Sequence, residues 1–245
     1  MTVFFCKLAD LEVEIHAQES QTAAYFSDYL IDTATPKITL RLTDSQIEAE
    51  AVSGREPRYY LEFLALCRAF CREAYIYNVF LLHAAVIEVD GCGYAFFAPS
   101  GTGKSTHIVL WRRLLGERCR IVNGDKPFVR YIDGAYYAYG SPWCGKERWQ
   151  RNVRVPLRAL CRLTRGEQDS ISRLSKEDCV PYIFSQIYLP PTADGAARVM
   201  EHIDGLLCQA PVFLLACTPN EAAAKVAYTA MSTISKESTS YETET

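Results

Sequence analysis

The chain has 245 residues, is 49% hydrophobic and carries a net charge of −3, enough for one large domain or two small ones around a substantial core. No apolar stretch approaches a bilayer span, and residues 1–6 lack the basic region, long apolar core and cleavage site of a leader, so the expectation is a cytoplasmic protein without a membrane partner. The ten cysteines show no C-x-x-C pair and no metal-ligand spacing, and Cys67 and Cys71, on one predicted helical face, read as small apolar residues rather than a metal site.

Residues 3–6, 11–16, 37–42 and 46–52 are short strand candidates, three of them alternating apolar with polar, and together predict a half-exposed antiparallel sheet. A helix is expected over residues 23–31. His16, at the end of an alternating strand, reads as a surface or satisfied side chain. From residue 58 to 77 the apolar side chains of Tyr60, Leu64, Cys67, Cys71 and Ala74 recur at steps of four, three, four and three, with Pro57 just before them. This spacing predicts an amphipathic helix that packs the sheet against the rest of the chain. Residues 1–78 are thus expected to form a small amino-terminal α+β part, and residues 79–234 the main domain.

Residues 81–89 form an apolar run, Asp90-Gly91 marks a hairpin turn, and residues 93–98 form a second strand candidate. The chain then reads A-P-S-G-T-G-K-S over residues 98–105, against the phosphate-loop pattern G-x-x-x-x-G-K-[ST], with Ala98 in place of the first glycine. Ile108, Trp111, Leu114 and Leu115 follow at helical spacing, ending at Gly116. Strand, loop and helix stand in the order that lets backbone N–H groups and a helix N-terminus surround an anion. Pro99, Ser100, Gly101, Thr102, Gly103, Lys104, Ser105 and Thr106 are therefore the expected phosphate-binding residues. Lys104 would reach the β and γ phosphates, and the Ser105 hydroxyl would ligate Mg²⁺.

Residues 119–123 predict a strand that sits beside the loop and ends at Asp125. A carboxylate there can hold Mg²⁺ or accept the proton of an attacking hydroxyl. Residues 126–132 and 135–139 flank Asp133-Gly134 as a second hairpin. The long connection over residues 140–154 reads as a lid or substrate loop with exposed tryptophan, in which Lys146, Arg148, Arg151 and Arg154 are candidates to steady phosphate. Strands are expected over 156–162, with 170–174 as its pairing partner, and over 212–216. Helices are expected over 176–189, 192–209 and 218–234; His107 and His202 lie in predicted helices without a spaced partner and read as structural. Residues 235–245, rich in Ser, Thr and Glu, are expected to be a disordered tail.

Charge is uneven along the chain: residues 1–56 hold 4 basic and 10 acidic side chains, residues 104–176 hold 16 and 6, and residues 177–245 hold 3 and 9. The basic stretch begins at Lys104 and suits a polyanionic nucleotide. Its basic residues are spread over several elements without a recognition motif, so nucleic acid is not the expected partner.

The run Leu82-His83-Ala84-Ala85-Val86-Ile87-Glu88-Val89-Asp90-Gly91, the loop, and Arg120-Ile121-Val122-Asn123-Gly124-Asp125 together resemble the catalytic domain of the HPr kinase/phosphorylase family. The resemblance implies an α/β fold: a P-loop core of the phosphoenolpyruvate carboxykinase/HPr kinase type with a mixed sheet, to which the amino-terminal part is added. It implies an ATP- and Mg²⁺-dependent kinase, transferring the γ-phosphoryl group to a hydroxyl, expected to be a serine of a small protein or peptide. Asp125 would do metal or general-base work, and His83 would neighbour the reacting centre. Gly124 stands where the family has the first of two paired acids. A nucleotide-binding regulator of low turnover is the alternative reading, and a carboxykinase-type enzyme the second; self-association is compatible with each.

Overall fold

Thr2–Leu8 (β1) and Leu11–Ala17 (β2) form a tight hairpin that reverses at Ala9 and Asp10, both at positive φ. Buried and half-buried residues alternate along all of β2, which fixes one face toward the core. In this computed structural model, which describes residues 1–33 and 35–233, Leu30–Ile31 (β3) and Ile38–Arg41 (β4) complete a sheet of order β3-β1-β2-β4. The sheet is mixed, not antiparallel as expected, because β4 runs parallel to β2. Between β2 and β3 lies a 3-10 segment, Ser20–Tyr29, in place of the predicted α-helix.

Residues 46–52 are not a strand. Thr43 Oγ accepts from Gln46 N, and the Gln46 side chain accepts from Thr43 N, a reciprocal cap that starts a short helix at Asp44–Glu48 (α1). Local capping outweighs the alternating pattern there. The amphipathic helix appears as Arg58–Ala74 (α2), followed by a single 3-10 turn, Tyr75–Tyr77. Its buried face, including Phe63, Leu66 and Phe70, forms one apolar cluster with β1, β2 and β4. Phe128, Tyr139 and Trp143 belong to the same cluster, so the amino-terminal sheet is packed onto the rest through α2.

Next come Val79–Leu81 (β5), Ala85–Val89 (β6), Cys92–Phe97 (β7), Lys104–Leu115 (α3), Cys119–Asn123 (β8), Phe128–Ile132 (β9) and Ala135–Tyr139 (β10). Arg154–Arg165 (β11), Ser170–Leu174 (β12), Lys176–Phe184 (α4), Ala193–Gln209 (α5), Val212–Cys217 (β13) and Glu221–Ser232 (α6) complete the described chain. The main sheet runs β5-β9-β10-β11-β7-β6-β8, with β13 on β11 and β12 on β13. The long strand β11 joins its halves, pairing β10 at residues 154–156 and lying parallel to both β7 and β13 further on. Residues 170–174 pair with β13, not with β11. Residues 235–245, expected as a disordered tail, lie outside the described residues.

Alternation along β6 sends Val86 to one face and Ala85, Ile87 and Val89 to the other. The first face packs on α4 and α5, the second on α3 and α6. The molecule is therefore a mixed α/β fold with helices on both faces of a mixed sheet. Burial of Trp111 and Phe96 between α3 and the sheet contributes roughly 1.5–3 kcal/mol each. No helix among the described residues is long and apolar enough to cross a membrane.

Candidate active site

The strand that leads to Asp125 is not beside the strand that leads into the loop: β6 lies between β8 and β7, antiparallel to each. Two antiparallel steps leave β8 parallel to β7, so both strands end on the same side of the sheet. Asp125 thereby reaches the loop after β7, and His83, in the break between β5 and β6, stands between them. Leu82 forms an isolated bridge with Ile187, and His83 N donates to Gln186 O at 2.6 Å, which holds the break open.

The turn after β7 contains Gly101 at φ +78° and Gly103 at φ +120°, conformations that L side chains rarely adopt. Gly103 caps α3 without a side chain, and among the described residues no side-chain hydrogen bond caps it. The first N–H groups of α3, which have no partner within the helix, are consequently left to an external acceptor. Lys104 is 8% exposed, and its Nζ donates to Ala98 O at 3.1 Å. Burial pulls its ammonium below the ordinary lysine range, with nearby Asp125 acting in the opposite direction.

His83 Nε2 lies 3.0 Å from Asp125 Oδ1 and 3.3 Å from Lys104 Nζ. One nitrogen cannot donate to the carboxylate and accept from the ammonium together; the ionised carboxylate takes the proton-bearing Nε2. Lys126 Nζ donates to Asp125 Oδ2 at 2.8 Å. Burial alone would raise the Asp125 carboxyl, but the His83 hydrogen bond and the Lys126 charge outweigh it and hold the group well below the usual carboxylate range. Burial would likewise lower the Lys126 ammonium, and Asp125 raises it instead.

Asn123 shapes this turn. Fully buried at the end of β8, it accepts Asp125 N and Lys126 N on Oδ1, at 2.9 and 2.8 Å, while Nδ2 donates to Ser141 O and Oγ. A Cβ on Gly124 would stand 3.0 Å from Cys144 O, so a side chain there would press on the adjoining loop.

These groups form the floor of a cleft of about 1050 Å³, bordered by Ser100, Gly101, Gly103, Lys104, Ser105 and Thr106 on one side. Across it stand Tyr25 and Asp28 of the 3-10 segment and Tyr60 and Phe63 of α2. Tyr25 stacks on Phe63 with centroids 4.1 Å apart. Lys146 and Arg148 border the cleft and are exposed. Arg151 and Arg154 do not border it: Arg151 pairs with Glu88 at 2.8 Å and Arg154 with Asp10 at 2.9 Å. Pro99 and Thr102 face a separate surface recess beside β11.

Trp143 is not exposed as expected. It is 2% accessible, stacks on Phe63 and donates from Nε1 to Phe63 O at 2.8 Å, because the helix α2 brings an aromatic face to the loop. Lys126, Asn123, Tyr25 and Asp28 are site residues that sequence reasoning does not single out. The first two are close to Asp125 in sequence, and that proximity is the signal that could find them; the other two come from a part of the chain with no visible motif.

Among the described residues no group of three or more His, Cys, Asp or Glu side chains is placed to hold a metal alone. Mg²⁺ characteristically takes one or two carboxylates together with phosphate oxygens and water, and Asp125 and Ser105, which border the same cleft, fit that need. No family model matches the sequence, and no curated protein matches it. Among solved structures the chain is similar to the HPr(Ser) kinase/phosphatase from Coxiella burnetii, at 11% identity and a TM-score of 0.38, over 66% of this chain and 99% of that one.

Proposed function

We propose that the protein is an ATP- and Mg²⁺-dependent kinase with a P-loop core, and that it transfers the γ-phosphoryl group to a hydroxyl, a serine of a small protein or peptide being the acceptor. The observation that carries this reading is the meeting of Lys104, His83 and Asp125 at the mouth of an uncapped, glycine-turned helix N-terminus.

Residues 98–106 would cradle the phosphates, the N–H groups of the turn and of α3 donating to their oxygens. Lys104 would exchange its Ala98 carbonyl contact for the β and γ phosphates. Ser105 and Asp125 would hold Mg²⁺, which when bound neutralises charge on the transferring group. Asp125 orients the acceptor hydroxyl and takes its proton late in transfer, when that proton has become acidic. His83 fixes the Asp125 carboxylate through its Nε2 proton. Lys146 and Arg148, exposed at the rim, would steady the phosphates.

A second reading, a nucleotide-binding regulator, is favoured by one feature: both Asp125 oxygens are already engaged, one by His83 and one by Lys126. Incubation with γ-labelled ATP, Mg²⁺ and a pool of serine-containing peptides separates the two, with Asp125→Asn alongside. Label transferred by the wild type and lost in the variant supports the kinase. Binding of ATP without transfer to peptide, protein or water rejects it in favour of the regulator.

A further inference from the structure

The large cleft has a charged floor, at Lys104, His83, Asp125 and Lys126, and an aromatic wall across from residues 98–106. Phe63 of α2 lies nearly parallel to Tyr25, with centroids 4.1 Å apart and 15° between the planes, and to Trp143, at 5.3 Å and 16°. Tyr60, one turn earlier on α2, adds a fourth ring 6.3 Å from Phe63 and 6.4 Å from Tyr25.

These rings are fixed from behind. Trp143 Nε1 donates to Phe63 O, Tyr29 OH to Gln150 Oε1 at 2.6 Å, and Asn152 Nδ2 to Asp28 O at 2.9 Å, so α2 and the 3-10 segment are both tied to the loop after β10. A platform that is already rigid loses little side-chain freedom when it is covered. Its outer rings are open to the cleft. Tyr60 is 37% exposed and Tyr25 is half-buried, and among the described residues neither hydroxyl has a hydrogen-bond partner. Rigid rings with an accessible apolar face and an unengaged hydroxyl are the usual material of recognition surfaces.

Wall and floor meet at one side chain. Lys126 Nζ donates to Asp125 Oδ2 at 2.8 Å, and Tyr60 is close enough to act on the same ammonium. A molecule that places a hydroxyl at Asp125 therefore has its neighbouring groups against the tyrosines. Direction points the same way. In-line transfer sets the attacking hydroxyl on the far side of the γ phosphorus from the leaving oxygen. With the phosphates on residues 98–106 and Lys104 Nζ turned toward His83 at 3.3 Å, that far side is the floor at Asp125 and the wall beyond it. The volume of about 1050 Å³ exceeds the roughly 300–1000 Å³ of a single small-ligand pocket and leaves room for a few residues of chain. Charges of both signs stand on the rim, Asp28 and Glu147 against Lys146 and Arg148, so no field of one sign selects the acceptor.

We propose that the aromatic wall is the specificity site for the acceptor: it takes an aromatic or large aliphatic side chain within about three residues of the phosphorylated serine, on an extended peptide segment. This rests on the kinase reading above. The bound side chain lies against Tyr25 and Tyr60, whose hydroxyls donate to carbonyls of the peptide while the serine hydroxyl reaches Asp125.

The test uses the full chain and serine peptides of about nine residues, alanine elsewhere, with Phe, Leu, Ala or Glu at each of the three positions on either side of the serine. Transfer from γ-labelled ATP gives kcat and KM, and calorimetry in the presence of Mg²⁺ and a non-hydrolysable ATP analogue gives peptide binding without turnover. At one position Phe is expected to lower both KM and Kd at least about tenfold relative to Ala, with kcat within about threefold. Tyr60→Ala, at an exposed position where folding is not at risk, and Tyr25→Ala are expected to bring the Phe and Ala peptides within about threefold of each other, while KM for ATP stays within about twofold. A preference absent at every position, or undiminished in both variants, overturns the proposal. Loss of ATP affinity in parallel with peptide affinity overturns it as well, since the rings would then hold the base. Peptides phosphorylated without aromatic preference remove the specificity site and leave the kinase; an aromatic peptide that binds with the stated preference and is never phosphorylated removes the kinase and leaves the site. Absence of both binding and transfer rejects the two together.

Discussion

His83 Nε2 and Asp125 Oδ1 meet at 3.0 Å across 42 residues of chain, and the contact closes only because β6 turns back between the loop strand and β8. Neither side chain is held by its own element alone. His83 is fixed by Gln186 behind it, and Asp125 by the Asn123 turn.

A hydrogen bond to a charged group contributes about 1.5–3 kcal/mol, so His83→Ala should lower kcat by roughly ten- to a hundredfold if His83 positions Asp125. KM for ATP should move by less than about threefold, because the loop is untouched. His83→Gln retains a donor and should recover most of the loss. Equal losses in the two variants, measured as peptide phosphorylation, would instead assign His83 a proton-transfer role.

Lys104 is buried with its amine in hydrogen-bonding distance of Ala98 O. Lys104→Met preserves the stem and removes the charge, and should weaken ATP by about ten- to a hundredfold with the thermal midpoint little changed. Lys104→Arg should not restore binding, since the planar guanidinium does not fit a space enclosed around a compact ammonium. Calorimetric titration of both variants checks this; ATP affinity equal to wild type in Lys104→Met would remove the basis for the phosphate site.

The loop, its helix and Asp125 are legible in the sequence because each depends on residues within a few positions of one another: glycines for the turn, Lys104 and Ser105 at its end, a strand run before it. The hairpin at Asp90-Gly91 is legible for the same reason. Features that depend on distant packing are not. Trp143 sits in a run of glycine and charge and reads as exposed, but Phe63, on a helix far away in sequence, offers it a stacking face. Arg151 and Arg154 look equivalent to Lys146 and Arg148 until Glu88 and Asp10 draw them off. The helix α1 is hidden for a local reason: the Thr43 and Gln46 cap competes with an alternating pattern of only a few residues.

Burial pushes the His107 imidazole down to about 4 from an ordinary value of 6.5. The unfolded chain therefore binds a proton there at a pH where the folded chain does not. The resulting stability is complete above about pH 6.5 and is lost as pH falls toward about 4, up to roughly 3 kcal/mol. His107→Leu should flatten that part of the stability profile, measured by urea unfolding across the window. A wild-type profile already flat between those pH values would show that the ring protonates within the fold.

Glu62 joins stability to the cleft. It is fully buried on α2, and its carboxylate accepts from Gln18 N at 2.6 Å, Glu19 N at 3.1 Å and Thr22 Oγ1 at 2.6 Å. Those three donors lie at the start of the 3-10 segment whose Tyr25 and Asp28 wall the cleft. Glu62→Leu strands the Gln18 and Glu19 N–H groups, leaving Thr22 Oγ1 only Tyr59 O at 3.2 Å, and should cost about 2–4 kcal/mol, or several degrees in Tm. Glu62→Gln keeps an acceptor oxygen and should cost about half as much. In both variants the 3-10 segment loses its anchor, so KM for a peptide acceptor should rise while KM for ATP, whose proposed phosphate site is the loop of residues 98–106, stays near wild type. A parallel rise in both constants would mean that the segment supports the whole site, and that the aromatic wall is not specific to the acceptor.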